Sequence, residues 1–164
     1  MTAADENEQA HAGYGLGTRL RYLLELLDGD VESIYREAGL PGYRPRYTPV
    51  MRTLDEVGAE TIKTIAERAG ASHSAISQTV AQMTRAGLVR TRPGADARER
   101  MVSLTPAGRR LLPRLAGLWA NTAAAAKALD AELPHTLSAA IEQAIAALEG
   151  KPFRERIRAA RSRA

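Results

Sequence analysis

The stretch that decides the fold is Thr61–Gly108, TIKTIAERAGASHSAISQTVAQMTRAGLVRTRPGADARERMVSLTPAG. Ile62, Ile65 and Ala66 share one face of a short helix predicted over Thr61–Ala69, and Gly70 stops it. Ser72 is an N-cap candidate for the next helix, His73–Ala86, whose buried stripe is Ile76, Val80 and Met83. Gly87 stands where a C-terminal capping glycine belongs. Two β-prone runs follow, Leu88–Arg92 and Arg100–Thr105, separated by the turn-forming residues Pro93-Gly94-Ala95-Asp96-Ala97-Arg98. Two short helices joined through Ala69-Gly70-Ala71 make a helix-turn-helix, and the hairpin behind them makes a wing.

Upstream, Thr48-Pro49 reads as an N-cap followed by proline at the first helical position. Val50, Met51, Leu54 and Val57 give that helix an apolar face, and Gly58 ends it. The segment before it, GLPGYRPRY over 39–47, is a Pro/Gly loop. Further upstream, Leu20, Leu24, Leu27, Val31, Ile34 and Ala38 step by four and three, a heptad seam that stays in phase through Gly29. It predicts one helix, with Gly29 a candidate kink.

Downstream, Thr105-Pro106 repeats the cap-and-proline start. The long helix after it carries Leu111, Leu115, Leu118, Thr122, Ala125 and Leu129 on a second seam, with a kink expected at Pro113. Beyond Pro134, a last helix groups Leu137, Ile141, Ala144, Ile145 and Leu148. The predicted class is mainly α with a small β-hairpin wing. The predicted organisation is a disordered tail over 1–13, a dimerising helix over 14–40, a winged helix-turn-helix over 48–105, dimerising helices over 106–150 and a basic tail over 151–164. Apolar seams of this kind expose too much surface to stay solvated, so each calls for a partner helix.

The chemistry points to nucleic acid. The second helix of a helix-turn-helix is free to enter a major groove, so its outward residues should be small or able to hydrogen-bond. Ser72, His73, Ser74, Ser77, Gln78 and Gln82 meet that requirement, and His73–Gly87 holds no acid. Gln pairs bidentately with adenine, and Ser serves either base type. Arg90, Arg92, Arg98 and Arg100 surround the wing. An arginine at its tip can enter a narrow minor groove, and Asp96 is placed to orient the Arg98 guanidinium.

Net charge is +4, unevenly spread. Residues 85–114 hold eight Arg against Asp96 and Glu99, a local +6, whereas residues 1–60 hold six Arg against eleven acids, a local −5. There is no cysteine, which removes disulfides, thiolate nucleophiles and thiol switches. His11, His73 and His135 have no ligand spacing, so neither metal nor other cofactor is expected. No set of nucleophile, base and orienting group stands together, which argues against an enzyme. No apolar run reaches membrane-spanning length and the acidic N-terminus is no signal peptide, so a cytoplasmic address without membrane contact is expected.

The residues IAERAGASHSAISQTVAQMTRAGLV, the wing pattern Asp96-x-Arg98-x-Arg100 and the exit LTPAGRRLL from Leu104 to Leu112 together resemble the winged helix-turn-helix of MarR-type transcriptional regulators. The resemblance is strong over about residues 48–115. It implies a homodimer on double-stranded operator DNA, with the recognition helix in the major groove and the wing arginine in the minor groove. It also implies regulation, by repression as the expected sign, and a small-molecule effector. Tyr43, Tyr47 and Trp119 are the candidates to line its pocket. The loop Gly42–Tyr47 is richer in Arg and Tyr than the family pattern. The competing reading is a winged helix serving only as a protein-interaction module, which has no need of Arg98 or of an acid-free recognition helix.

Overall fold

The first seam folds as expected. In the computed structural model, which describes residues 15–94 and 99–161, α1 (Leu16–Glu37) runs unbroken through Gly29. A 3-10 turn (Pro45–Tyr47), α2 (Thr48–Val57), β1 (Glu60–Thr61), α3 (Ile62–Ala69) and α4 (His73–Arg85) follow. Next come β2 (Val89–Pro93), β3 (Arg100–Leu104), α5 (Pro106–Glu132), α6 (Leu137–Gly150) and α7 (Phe153–Arg161). The described residues form two compact units, one ending at Leu118 and one starting at Trp119. Among them, no helix is long and apolar enough to cross a membrane.

The core of the first unit is built from the predicted stripes. Val50, Met51 and Leu54 of α2, Ile65 of α3, and Ile76, Val80 and Met83 of α4 are all buried, as are Val89, Val102 and Leu104 of the hairpin and Leu115 of α5. Val57, expected on the same face of α2, is instead exposed, because it is the last residue before Gly58 turns the chain away at φ 84°. The sheet is antiparallel in the order β1-β3-β2, with β2 and β3 paired Val89↔Leu104, Thr91↔Val102 and Pro93↔Arg100. Two residues of β1 add a third strand that the sequence reading leaves out, pairing Glu60↔Val102 and Thr61↔Met101.

Thr48 is not the cap of α2. The 3-10 turn leads straight into the helix, Tyr47 holds the cap position, and no side chain caps it. The Thr48 hydroxyl serves the core instead, within hydrogen-bond distance of Tyr35 Oη and Tyr43 Oη, 3.3 Å each. Tyr35, Tyr43 and Tyr47 stack edge to face, with ring centroids 4.7 Å apart for the first pair and 5.7 Å for the second. The Arg114 guanidinium of α5 donates to the Ala38 carbonyl at the end of α1, a cation on an unsatisfied helix C-terminus.

Much of the first seam faces outward, and Val31 and Ala38 are half-buried. Leu20, Leu24, Leu27 and Ile34 of α1 are 40 to 57% exposed. In the second unit, Ile141, Ile145 and Leu148 of α6 and Phe153 and Ile157 of α7 are exposed as well. α5 continues through Pro113 without a break. At the start of α6, Asp130 Oδ1 accepts from the Ser138 amide at 3.1 Å, a capping role that Thr136 leaves open. Hydrogen bonds from Ser138, hydroxyl first and then amide, pull the Asp130 carboxyl below its ordinary value.

Where α5 begins, it passes close to the turn between α4 and β2. A Cβ on Gly108 would lie 2.2 Å from the Leu88 carbonyl oxygen, whereas one on Gly117 would meet nothing within 4 Å. Gly108→Ala is therefore expected to destabilise the protein by about 1–3 kcal/mol, and Gly117→Ala to leave it unchanged or stabilise it by up to about 1 kcal/mol. Denaturant unfolding of the two variants checks this, and equal effects would contradict the close approach.

Candidate nucleic-acid interface

Local capping sets the geometry of the helix-turn-helix. Thr61 Oγ1 accepts from the Thr64 amide at 3.1 Å and opens α3. Gly70 closes it in the left-handed region at φ 59°, a conformation that costs a side-chain-bearing residue about 1–2 kcal/mol. The Ala71 amide then returns to the Ala66 carbonyl at 3.0 Å. Two residues after Gly70, Ser72 Oγ accepts from the Ala75 amide at 3.2 Å and opens α4.

With Ile76, Thr79, Val80 and Met83 buried, the opposite face of α4 points to solvent. Ser74, Gln78, Ala81 and Arg85 follow one another along it in steps of four, three and four, and all four are exposed. Ser72 and His73 are exposed at its start. Ser77 and Gln82 flank this line and are half-buried. Gln82 Oε1 is buried without a hydrogen-bond partner among the described residues, so this amide is less open to solvent than the sequence pattern suggests.

The hairpin divides its arginines between two faces, because side chains alternate along a strand. Val89, Val102 and Leu104 face the core, and Thr91 and Arg100 continue that face beyond the core's edge. Arg90 and Arg92 lie on the other face, where Arg90 Nε donates to Ser103 Oγ of the paired strand at 3.2 Å. Arg92 and Arg100 are both exposed. The Gly94 amide closes the hairpin onto the Glu99 carbonyl at 2.8 Å. Asp96 and Arg98, the wing pair of the sequence reading, lie outside the described residues.

A cleft of about 400 Å³ opens between α4 and the hairpin. Ser77, Thr84 and Arg85 line it from the helix, Thr91 and Arg100 from the strands, and Ile62 from α3. Arg85 and Thr91 are absent from the residues singled out by sequence. The signal for Arg85 is its place seven residues after Gln78, two helical turns along one face. The signal for Thr91 is its alternation with Val89.

The three candidates for an effector pocket stand elsewhere. Tyr43 and Tyr47 are 3% and 4% exposed, inside the aromatic stack, and their rings serve the core rather than the wall of an open cavity. Trp119 is half-buried in the second unit. Among the described residues, no cluster of His, Asp and Glu is placed to hold a metal ion.

Comparison with known proteins agrees with this architecture. The M. tuberculosis transcriptional regulator MOSR, solved in complex with DNA, shares 23% identity at a TM-score of 0.62, with 82% of this chain and 92% of that chain covered. The PcaV transcriptional regulator from Streptomyces coelicolor, solved with its natural ligand, shares 22% identity at a TM-score of 0.59, covering 86% and 95%. A MarR family transcriptional regulator from Silicibacter pomeroyi shares 24% at a TM-score of 0.52, covering 84% and 90%. No curated protein sequence matches the chain significantly. At these identities the structural likeness is one of fold. By sequence, the chain is similar to the MarR family, whose model matches residues 42–99, the stretch that holds the helix-turn-helix and the first part of the wing.

Proposed function

We propose that the chain is a sequence-specific DNA-binding transcriptional regulator, a repressor that binds a pseudo-palindromic operator as a homodimer. The observation that carries this reading is the outward face of α4. It is free of acids, offers Ser74 and Gln78 in the open, and is bordered by Arg100 of the hairpin. A groove-reading helix needs hydrogen-bonding side chains and no carboxylates toward phosphate. The exposed apolar faces of α1 and α6 support a dimer, since a second copy would remove them from water. Two recognition helices related by a twofold axis would read half-sites about one helical turn, roughly 10 base pairs, apart. Arg98, oriented by Asp96, would enter the minor groove beside each half-site, and Arg92 and Arg100 would meet the backbone. The chain would work in the cytoplasm, with its DNA. A small-molecule effector would release DNA by favouring a dimer whose helix spacing no longer fits the grooves.

Selection of bound fragments from a random DNA pool supplies the operator and the first test. On the selected site, Gln78→Ala should cost about 1–3 kcal/mol at one base position and relax specificity there; a loss that is uniform across sequences would make Gln78 a phosphate contact. Arg98→Ala should weaken binding and erase any preference for A·T flanks, and unchanged affinity would refute the wing assignment. Affinity should fall by about 10³-fold or more between 50 and 200 mM salt if six or more phosphates are neutralised. A flat response would leave only the protein-interaction module. Sedimentation should find a dimer at micromolar concentration, and a stable monomer would remove the half-site argument.

A further inference from the structure

We infer that the cleft between α4 and the hairpin seats one backbone phosphate of the bound DNA, with the Arg85 and Arg100 guanidinium groups as its charged donors. This inference rests on the DNA-binding reading and adds a named contact to it. Arg85 lies on the same exposed line of α4 as Ser74 and Gln78. At about 1.5 Å of rise per residue, it stands roughly 10 Å along the axis from Gln78. That is close to the width of a B-DNA major groove, about 12 Å. A helix with Gln78 over the bases therefore carries Arg85 to the groove's edge, where the phosphates run. Ala81, between them on the line, is small enough to let the DNA come close.

The hairpin brings the second guanidinium to the same place. Arg100 continues the core-facing side of β3, as Thr91 does for β2, so both reach toward α4 and line the cleft with Arg85. Ser77, half-buried beside them, adds a hydroxyl donor, and Thr91 adds another. Thr84 does not, since its hydroxyl already donates to the Val80 carbonyl at 2.8 Å. Among the described residues, no carboxylate lines the cleft, and neither Arg85 nor Arg100 forms an ion pair. Two unneutralised guanidinium groups and two hydroxyls converging over an apolar floor of Ile62 and Val80 suit a phosphodiester anion. In this arrangement Ser77 holds the backbone, and base reading falls to Ser74 and Gln78.

The test compares wild type with Arg85→Ala, Arg100→Ala and Arg85→Lys. Each is measured on the fragment that the wild type selects and on a random fragment, across a salt series. Each alanine variant should lose about tenfold in affinity on both fragments, and its slope of log affinity against log salt should be shallower by about 1. Arg85→Lys should recover most of the slope, because a lysine still supplies the charge. Unfolding midpoints should match the wild type's, since Arg85 and Arg100 are exposed. Variants with wild-type slope and affinity would overturn the phosphate seat and leave the DNA reading standing. A loss confined to the selected fragment would overturn it in favour of base contact. A wild type that binds neither fragment would overturn the DNA reading and the seat with it.

Discussion

The Thr105 side chain and its neighbours tie three elements together at one point. Its hydroxyl donates to the Gly87 carbonyl at 2.6 Å, lies 3.2 Å from the Leu88 carbonyl, and accepts from the Gly108 amide at 3.0 Å. The Thr105 amide donates to the Leu88 carbonyl at 3.0 Å. Gly108 has no side chain where a Cβ would strike that same Leu88 oxygen. The turn after α4, the base of the hairpin and the start of α5 are thus joined by one set of hydrogen bonds and one steric gap. The LTPAG stretch is short, but every part of it has a task here: Leu104 fills the core, Thr105 caps and bridges, Pro106 opens α5 and Gly108 permits the close approach.

Everything that could touch DNA inherits its position from that junction. The direction of α4 relative to β2 and β3 decides that Arg100 and Thr91 face the helix, while Arg90 and Arg92 face away. The same direction decides which residues of α4 stay open. Ser74, Gln78 and Arg85 stand out, and Ser77 leans toward the hairpin. The local +6 of residues 85–114 is therefore not one patch. Strand alternation and helical period divide it into a part at the helix–hairpin cleft, a part on the far face of the wing, and a part on α5.

Much of this was legible in the sequence because it depends on local chemistry. Ser72 caps its helix, Gly70 and Gly87 adopt the positive φ that ends theirs, and the apolar stripes of α3 and α4 lie where the helical period puts them. What was not legible depends on long-range neighbours. Thr48 has the look of a cap, but a preceding turn of 3-10 helix and two tyrosine hydroxyls from elsewhere in the chain give it other work. Tyr43 and Tyr47 sit in a Pro/Gly loop that reads as surface, yet Tyr35, hidden between seam positions of α1, draws them inside. A two-residue strand at Glu60 has no periodicity to detect, since its only cause is the open edge of β3. Arg85 carries a signal in its spacing to Gln78, but it falls at the end of the helix, where a basic residue is ordinary.

In the proposed function, α4 and the hairpin together form the DNA-reading surface. The decisive experiment is an NMR titration of isotope-labelled protein with a DNA fragment selected from a random pool. Amide resonances of Ser72–Gln78, Arg85 and the two hairpin strands should move together and saturate together. Resonances of the buried Met51 and Ile65 should stay in place. Shifts confined to α6 and α7, or an unchanged spectrum at saturating DNA, would contradict it.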